Sequence, residues 1–138
     1  MRWRSVANLL DTSILSDLIK HPAGAVAQHI TGVGEDLIYT SIVVVCELRY
    51  GAAKKGSPAL SDKIAQLLST IEVLPLEEDA DEKYAEVRTA LEKAGTPIGA
   101  NDTMIAAHAL SLGLALVTNN VSQFPKAPGL NVENWLAT

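Results

Sequence analysis

Three acidic residues stand where they could act together. Asp11 follows a short apolar run, Glu47 falls in the second turn of a predicted helix, and Asp102 falls in the first turn of another. Alone, Asp102 is most simply an acid that favours a helix start. Carboxylates gathered in one cleft, however, repel one another unless cations lie between them, and such oxygen ligands suit Mg²⁺ or Mn²⁺ better than Zn²⁺. A site of this kind supports phosphoryl transfer with a metal-bound water.

The spacing of apolar residues predicts strands that alternate with helices. Strands are predicted at residues 6–10, 37–40, 73–76 and 114–118, with a short last one within 130–135. Helices are predicted at 14–19, after Pro22, and at 42–55, 58–71, 79–94 and 100–112. This order predicts an α/β fold, a three-layer sandwich with a mostly parallel sheet of four to five strands flanked by helices, in a single domain of residues 1–138. Ligands bind such sheets at the carboxyl ends of the strands, where the three acids and Asn120 would meet.

The most ambiguous segment is residues 42–55. Its run of valines favours a strand by propensity, but the hydroxyl residues before it and Gly56 after it are helix boundaries. We therefore predict a helix whose β-branched residues are buried. Cys46 lies in the same run and is predicted to be a small buried residue rather than a nucleophile. As the only cysteine, it excludes an internal disulfide.

The helix that carries Asp102 is otherwise almost wholly apolar. Its predicted buried face consists of Ile105, Ala106, Ala109 and Leu112, which recur at helical spacing. His108 lies six residues beyond Asp102 and is thereby turned away from it. We therefore predict a structural or surface role for His108 rather than acid–base catalysis.

Composition sets limits on the class of protein. The chain has 138 residues, 48% of them hydrophobic, and a net charge of -5. This charge argues against a surface that coats nucleic acid in general, but a bound divalent metal would reverse the local sign at an acidic site. No apolar run approaches the ~20 residues of a membrane span, and the basic start, Met1 to Arg4, is not followed by the apolar segment of a secretion signal. We expect a cytoplasmic protein.

An ordered set of short motifs resembles the PIN domains of VapC-type toxins. The motifs are L-L-D-T-S at 9–13, E-L-R-Y-G at 47–51, P-I-G-A-N-D at 97–102, I-A-A-H-A at 105–109 and L-V-T-N-N at 116–120. The resemblance covers nearly the whole chain, apart from Met1 to Arg4. It implies a metal-dependent endoribonuclease, the toxin of a type II toxin–antitoxin system, with an RNA substrate. It also implies a VapB-like antitoxin, operator DNA bound only through that antitoxin, a homodimer and no membrane association.

The resemblance also assigns roles to residues. Asp11, Glu47 and Asp102 correspond to the family's acidic catalytic ligands for Mg²⁺ or Mn²⁺. Asn120 occupies a fourth catalytic position that is often aspartate; its amide brings no charge, which leaves open whether one metal binds or two. The predicted substrate-binding residues are Thr12, Ser13, Arg49, Asn101 and Thr118.

Three other interpretations agree with part of the sequence pattern. A phosphatase of the haloacid dehalogenase type would place a second aspartate two residues after Asp11, where this chain has Ser13. A response-regulator receiver would need an acidic pair at the first strand and a lysine after the last one, and neither is present. Because Asn120 replaces an acid, the third possibility is a catalytically weakened PIN domain that acts mainly by binding its antitoxin.

Overall fold

The computed structural model describes residues 6–136, so the extension Met1 to Arg4 lies outside the described residues. The strands are β1 (Asn8–Leu10), β2 (Ile38–Ser41), β3 (Glu72–Leu74), β4 (Ala115–Val117) and β5 (Val132–Glu133). The α-helices are α1 (Thr12–Lys20), α2 (Ala25–Val33), α3 (Ile42–Lys55), α4 (Pro58–Leu68), α5 (Ala80–Lys93) and α6 (Ala100–Leu112). Strands and helices alternate as the apolar spacing predicted.

All five strands are parallel, in the order β3-β2-β1-β4-β5, which confirms the predicted fold class. The chain moves outward from β1 to β2 and β3, then returns to the other side of β1 to form β4. Because such crossovers are right-handed, α1 to α4 cover one face of the sheet and α5 and α6 the other. Leu10 pairs with Thr40 on one side and Val117 on the other, so β1 and β4 end level and β2 extends one residue further. The reversal between β1 and β4 opens a crevice at their carboxyl ends.

The central strands are buried on both faces, as expected for a covered parallel sheet. Leu9 and Leu10 of β1 and Leu116 and Val117 of β4 are fully buried in one aliphatic core. Each such side chain contributes roughly 1.5–3 kcal/mol of burial free energy. The ends of these strands are therefore held in place by a well-packed core.

Helix α6 presents most of its predicted buried face to this core. Ile105, Ala106 and Ala109 are fully buried. The prediction for Leu112 is wrong, since this residue is 49% exposed. It is the last residue of α6, and Gly113 ends the helix in a left-handed conformation directly after it, where the chain leaves for β4.

The helix predicted at residues 42–55 is confirmed as α3. Ser41 Oγ accepts a hydrogen bond from the Val43 amide at its start, and Gly56 ends it with a φ of 61°. The prediction that Cys46 is buried is wrong, because its side chain is exposed. Cys46 lies four residues from both Ile42 and Tyr50, so these three residues share one outward stripe of α3.

Between residues 6 and 136, no helix combines the length and the apolar character required to cross a bilayer.

Candidate functional site

Asp11 stands directly after the central strand. Its amide still belongs to the sheet, donating to the Val117 carbonyl at 2.9 Å. Its side chain is buried, only 6% exposed, and Oδ2 accepts a hydrogen bond of 2.7 Å from the Thr118 hydroxyl. Thr118 follows β4 directly and is fully buried. The level ends of two neighbouring strands therefore hold one carboxylate in place.

The side-chain hydroxyls of Thr12 and Ser13, which follow Asp11, form hydrogen bonds with other segments of the chain. Asp11 occupies the cap position of α1, and no side chain makes a capping bond there. Instead, Thr12 Oγ1 donates to Glu47 Oε1 on α3. Ser13 Oγ accepts from the Asn119 amide at 3.2 Å, in the loop after β4. Both hydroxyls are engaged in tertiary contacts, so neither is free to cap the helix.

Glu47 is held from two sides. One carboxylate oxygen accepts from Thr12, and the other accepts from Asn101 Nδ2 at 3.5 Å. Asn101 immediately precedes Asp102 in the first turn of α6. The starts of α1 and α6 are thus both connected to Glu47, which lies in the second turn of α3.

The three carboxylates influence one another electrostatically. Burial is the main cause that raises the pKa of Asp11, and the negative charge of Glu47 adds to it, while hydrogen bonds from Thr118 and the Thr12 backbone act in the opposite direction. Burial, followed by the charges of Asp11 and Glu47, raises the pKa of Asp102 to about 6. The structure therefore brings the three predicted acids together at one edge of the sheet.

Among the residues that the structure describes, these carboxylates have no salt-bridge partner. Within residues 6–136, the salt bridges are Lys83–Glu86 and Arg88–Glu92, both along α5, and neither includes one of these three acids. The site consequently concentrates negative charge in a partly desolvated crevice, which disfavours the ionised forms of Asp11 and Asp102.

The other predicted site residues lie at different depths. Asn120 supports the site through its backbone, since its amide donates to Thr118 Oγ1 at 3.0 Å, while its side chain bonds to Ser122 and Gln123 in its own loop. Thr118 was predicted to bind substrate, but it is fully buried and positions Asp11 instead. Arg49 is exposed and lies two residues past Glu47, about 200° around α3.

Sequence comparison decides the family. A family model described as the PIN domain matches residues 9–130. The chain belongs to the PIN domain family. It is 36% identical over 129 residues to "Ribonuclease VapC2" of Rickettsia felis, covering 92% of this chain and 96% of that protein. It is 38% identical over 96 residues to "tRNA(fMet)-specific endonuclease VapC" of Salmonella typhimurium, covering 69% of this chain and 73% of that protein.

A solved structure shows the same PIN fold. It is the crystal structure of VapBC2 from Rickettsia felis bound to a DNA fragment from their promoter. The TM-score is 0.87 at 32% sequence identity, and the match covers 94% of this chain and 98% of that one. The resemblance to VapC-type PIN domains that the motifs indicated is thereby confirmed.

The acidic crevice of this PIN domain has the donor chemistry of a hard-cation site. Its oxygen ligands are buried or half-buried, and the raised pKa values of Asp11 and Asp102 reflect a charge that a cation would compensate. Across the described residues, however, no three histidine, cysteine, aspartate or glutamate side chains are already arranged to hold one metal ion. Asp11, Glu47 and Asp102 are thus a fitting donor set but not a preformed ligand cage.

Sequence reasoning did not identify one buried pair beside the crevice. His108 Nδ1 lies 2.8 Å from Ser41 Oγ, between α6 and the start of α3. His108 is 1% exposed, which agrees with a structural role and excludes a surface one. The position of His108 within an apolar helical face indicates from the sequence that it is buried. That position does not identify its partner, which lies 67 residues away in the sequence.

Asp102→Asn should stabilise the metal-free PIN domain at neutral pH. Because the folded pKa of Asp102 is about 6, against a reference value of 3.8, the folded state binds the proton more tightly. Stability therefore falls as the pH rises from about 4 to 6, and the full cost is present above 6. Allowing for partial solvent screening, we expect a gain of about 1 kcal/mol at pH 7.5 in chelator, measured by thermal unfolding.

The gain from Asp102→Asn should disappear near pH 4, where both proteins are neutral at this position. Asp62→Asn on exposed α4 removes the same charge far from the crevice and serves as the control. If Asp102→Asn were less stable than the wild type at pH 7.5 in chelator, this would contradict the inference that the charge of Asp102 destabilises the metal-free protein.

Proposed function

We propose that this PIN domain is a metal-dependent endoribonuclease and the toxin of a toxin–antitoxin system. The observation that carries the proposal is the convergence of Asp11, Glu47 and Asp102, from three remote segments, at the carboxyl edge of the sheet. The names of the relatives, a ribonuclease and a tRNA(fMet)-specific endonuclease, support RNA as the substrate class.

In the proposed reaction, Asp11, Glu47 and Asp102 hold Mg²⁺ or Mn²⁺. The bound metal would supply an activated water and neutralise charge that develops on the scissile phosphate. Thr118 keeps the Asp11 carboxylate oriented, and Thr12 and Asn101 do the same for Glu47. Hydrolysis in line would leave a 3′-hydroxyl and a 5′-phosphate.

The substrate would approach from the accessible side of these acids. Asn101 is exposed and Ser13 is half-buried, so both are accessible to an RNA phosphate beside the crevice. Arg49 is exposed on the side of α3 turned away from Glu47, and it would attract RNA backbone beyond the scissile phosphate without reading its sequence. Contacts of this kind position the phosphodiester, while Asp11 stays buried behind them.

Cleavage of total RNA tests the proposal directly. The protein, freed of any antitoxin, should cleave RNA with Mn²⁺ or Mg²⁺ and lose this activity in excess chelator, and added Mn²⁺ should restore it. Equal cleavage with and without chelator would exclude a metal-dependent reaction. The absence of cleavage under all conditions would exclude the nuclease.

A second candidate function is that of an antitoxin-binding module with weakened catalysis. It is favoured by Asn120, which brings no charge and whose side chain is bonded within its own loop. Calorimetric titration with Mn²⁺ separates the two functions, because a binding module without a nuclease site would show no Mn²⁺ binding.

The proposed partner is a VapB-like antitoxin, with operator DNA bound only through it. The structural relative contains VapBC2 and a promoter DNA fragment, which supports both partners. This chain offers a groove of about 730 Å³ between α1, α2 and α4, with apolar walls that include Leu18, Ile30 and Leu67. Such a groove suits an apolar antitoxin segment, and co-elution with the neighbouring gene product would test the pairing.

We also propose a homodimer. Ile42 and Tyr50 on the outward stripe of α3 are 39% and 66% exposed, and Leu76 beside them is 40% exposed. A cluster of exposed large apolar side chains marks an interaction surface in a water-soluble protein. Sedimentation equilibrium of the purified chain would show a dimer, and a monomer at all concentrations would exclude it.

A further inference from the structure

His108 occupies a position that stability alone does not favour. Its side chain is 1% exposed, and within residues 6–136 its Nε2 has no partner at full hydrogen-bond geometry, although the Pro75 backbone lies near enough to affect the ring. Burial lowers the pKa of this histidine, although the Pro75 backbone and the charge of Glu77 oppose that shift, so the ring is neutral at physiological pH. A buried nitrogen without a well-formed hydrogen bond lowers stability, and an apolar side chain of similar size would avoid that cost.

The other ring nitrogen makes a specific contact. Nδ1 lies 2.8 Å from Ser41 Oγ, and that oxygen also accepts the Val43 amide at the start of α3. Because Ser41 Oγ already accepts one hydrogen bond, its own proton is available to Nδ1. The imidazole is thus attached to the residue that begins the helix carrying Glu47.

Two polar contacts connect α3 with α6. Ser41 at the start of α3 contacts His108, and Glu47, six residues along, contacts Asn101 at the start of α6. The start of α3 lies beside a late residue of α6, and the start of α6 lies beside a later residue of α3. The two helices therefore run antiparallel. Six residues correspond to about 9 Å along a helix axis. The buried contact therefore fixes the position of α3 along α6 at one end, and the candidate metal ligands lie at the other.

We propose that His108 is a positioning residue that acts through Ser41 to fix the register of α3 against α6, and thereby the separation of Glu47 from Asp102. This inference rests on the proposed nuclease function. A slide of one residue moves a helix by about 1.5 Å, whereas metal ligands tolerate deviations of only about 0.2 Å. Displacements of about 1 Å at a catalytic centre lower rates by roughly 100-fold. The contact accordingly supports activity without touching substrate or metal.

Three substitutions of His108 isolate the contact. His108→Leu keeps much of the bulk and removes both nitrogens. His108→Asn places an amide where Nδ1 lies and keeps the bond to Ser41, whereas His108→Gln places its amide near the position of Nε2. We expect His108→Leu and His108→Gln to lower Mn²⁺ affinity about 10-fold and kcat roughly 10–100-fold, with KM for RNA close to the wild-type value. His108→Asn should restore both properties.

The opposite partner provides a second, independent comparison. Ser41→Ala removes the contact together with the cap of α3, and Ser57→Ala removes the corresponding cap of α4, where Ser57 Oγ accepts from the Leu60 amide. Each variant loses a hydrogen-bonded helix cap, but α4 carries no site residue. Only Ser41→Ala should lose Mn²⁺ affinity, and this comparison decides the matter if His108→Leu does not fold.

Isothermal titration with Mn²⁺ and steady-state RNA cleavage provide the measurements. Wild-type Mn²⁺ affinity and kcat in His108→Leu would overturn the inference, as would an Asn variant as impaired as the Leu variant, or equal losses in Ser41→Ala and Ser57→Ala. Those outcomes leave an active wild-type enzyme, so the proposed nuclease would stand. A wild-type protein without metal-stimulated cleavage would instead overturn the nuclease, and this inference with it.

Discussion

Asp11→Asn should reduce Mn²⁺-stimulated RNA cleavage at least about 1,000-fold while the protein stays folded. Asp11 is the most deeply buried acid of the crevice, and the substitution removes the charge of a proposed metal ligand. Metal-ion catalysis contributes several kcal/mol of transition-state stabilisation, and each 1.36 kcal/mol corresponds to a factor of ten in rate. The amide oxygen of the variant can still accept the Thr118 hydrogen bond, so the strand ends should keep their arrangement.

Cleavage of labelled RNA, with folding monitored by circular dichroism, measures the effect of Asp11→Asn. Asp62→Asn makes the same chemical change on exposed α4 and should cleave at the wild-type rate. Full activity in Asp11→Asn would refute the assignment of the candidate site. A loss of activity in both variants would show that the effect does not arise in the crevice.

The fold and the convergence of the acids could be predicted from local patterns. Residues 42–55 illustrate why, because a capping serine and a terminal glycine outweighed the strand preference of the valines. Asp11 and Asp102 could be placed because the carboxyl ends of parallel strands share one edge of the sheet. Rules of this kind depend on the order of elements and not on atomic detail.

The partners of the hydroxyl groups could not be predicted in this way. Thr12 contacts Glu47 across 35 residues, and Thr118 contacts Asp11 across 107. Hydrogen bonds between remote segments depend on strand register and side-chain rotamer, which sequence spacing does not encode. As a result, Thr118 was assigned to the substrate when it belongs to the support of Asp11.

The exposure of Cys46 has a related cause. The apolar residues of α3 are distributed around the whole helix, so the sequence pattern indicates no single buried side. The buried valines face the sheet and the neighbouring helices, and Cys46 lies on the stripe that these contacts leave open. Only the packing of the whole domain determines which stripe that is.

Thr118→Val should lower kcat roughly 10–100-fold with little change in KM for RNA. The substitution keeps the shape of the side chain but removes the hydroxyl that donates to Asp11 Oδ2 at 2.7 Å and accepts the Asn120 amide at 3.0 Å. Residues that orient metal ligands typically contribute 10–100-fold to metal affinity or activity. We therefore expect Mn²⁺ affinity to fall together with kcat, because the carboxylate would be free to rotate away from its working position.

Thr40→Val is the matched control for Thr118→Val. Thr40 is also fully buried at the end of a neighbouring strand, but its hydroxyl donates to the Leu10 carbonyl at 2.8 Å and not to a carboxylate. Thr40→Val loses one hydrogen bond and Thr118→Val loses two, each worth about 1 kcal/mol, so both variants should lose some thermal stability. Only Thr118→Val should lose activity, and Thr118→Ser, which keeps the hydroxyl, should retain it. Equal kcat and Mn²⁺ affinity in Thr118→Val and Thr40→Val would show that the orientation of Asp11 does not depend on this bond.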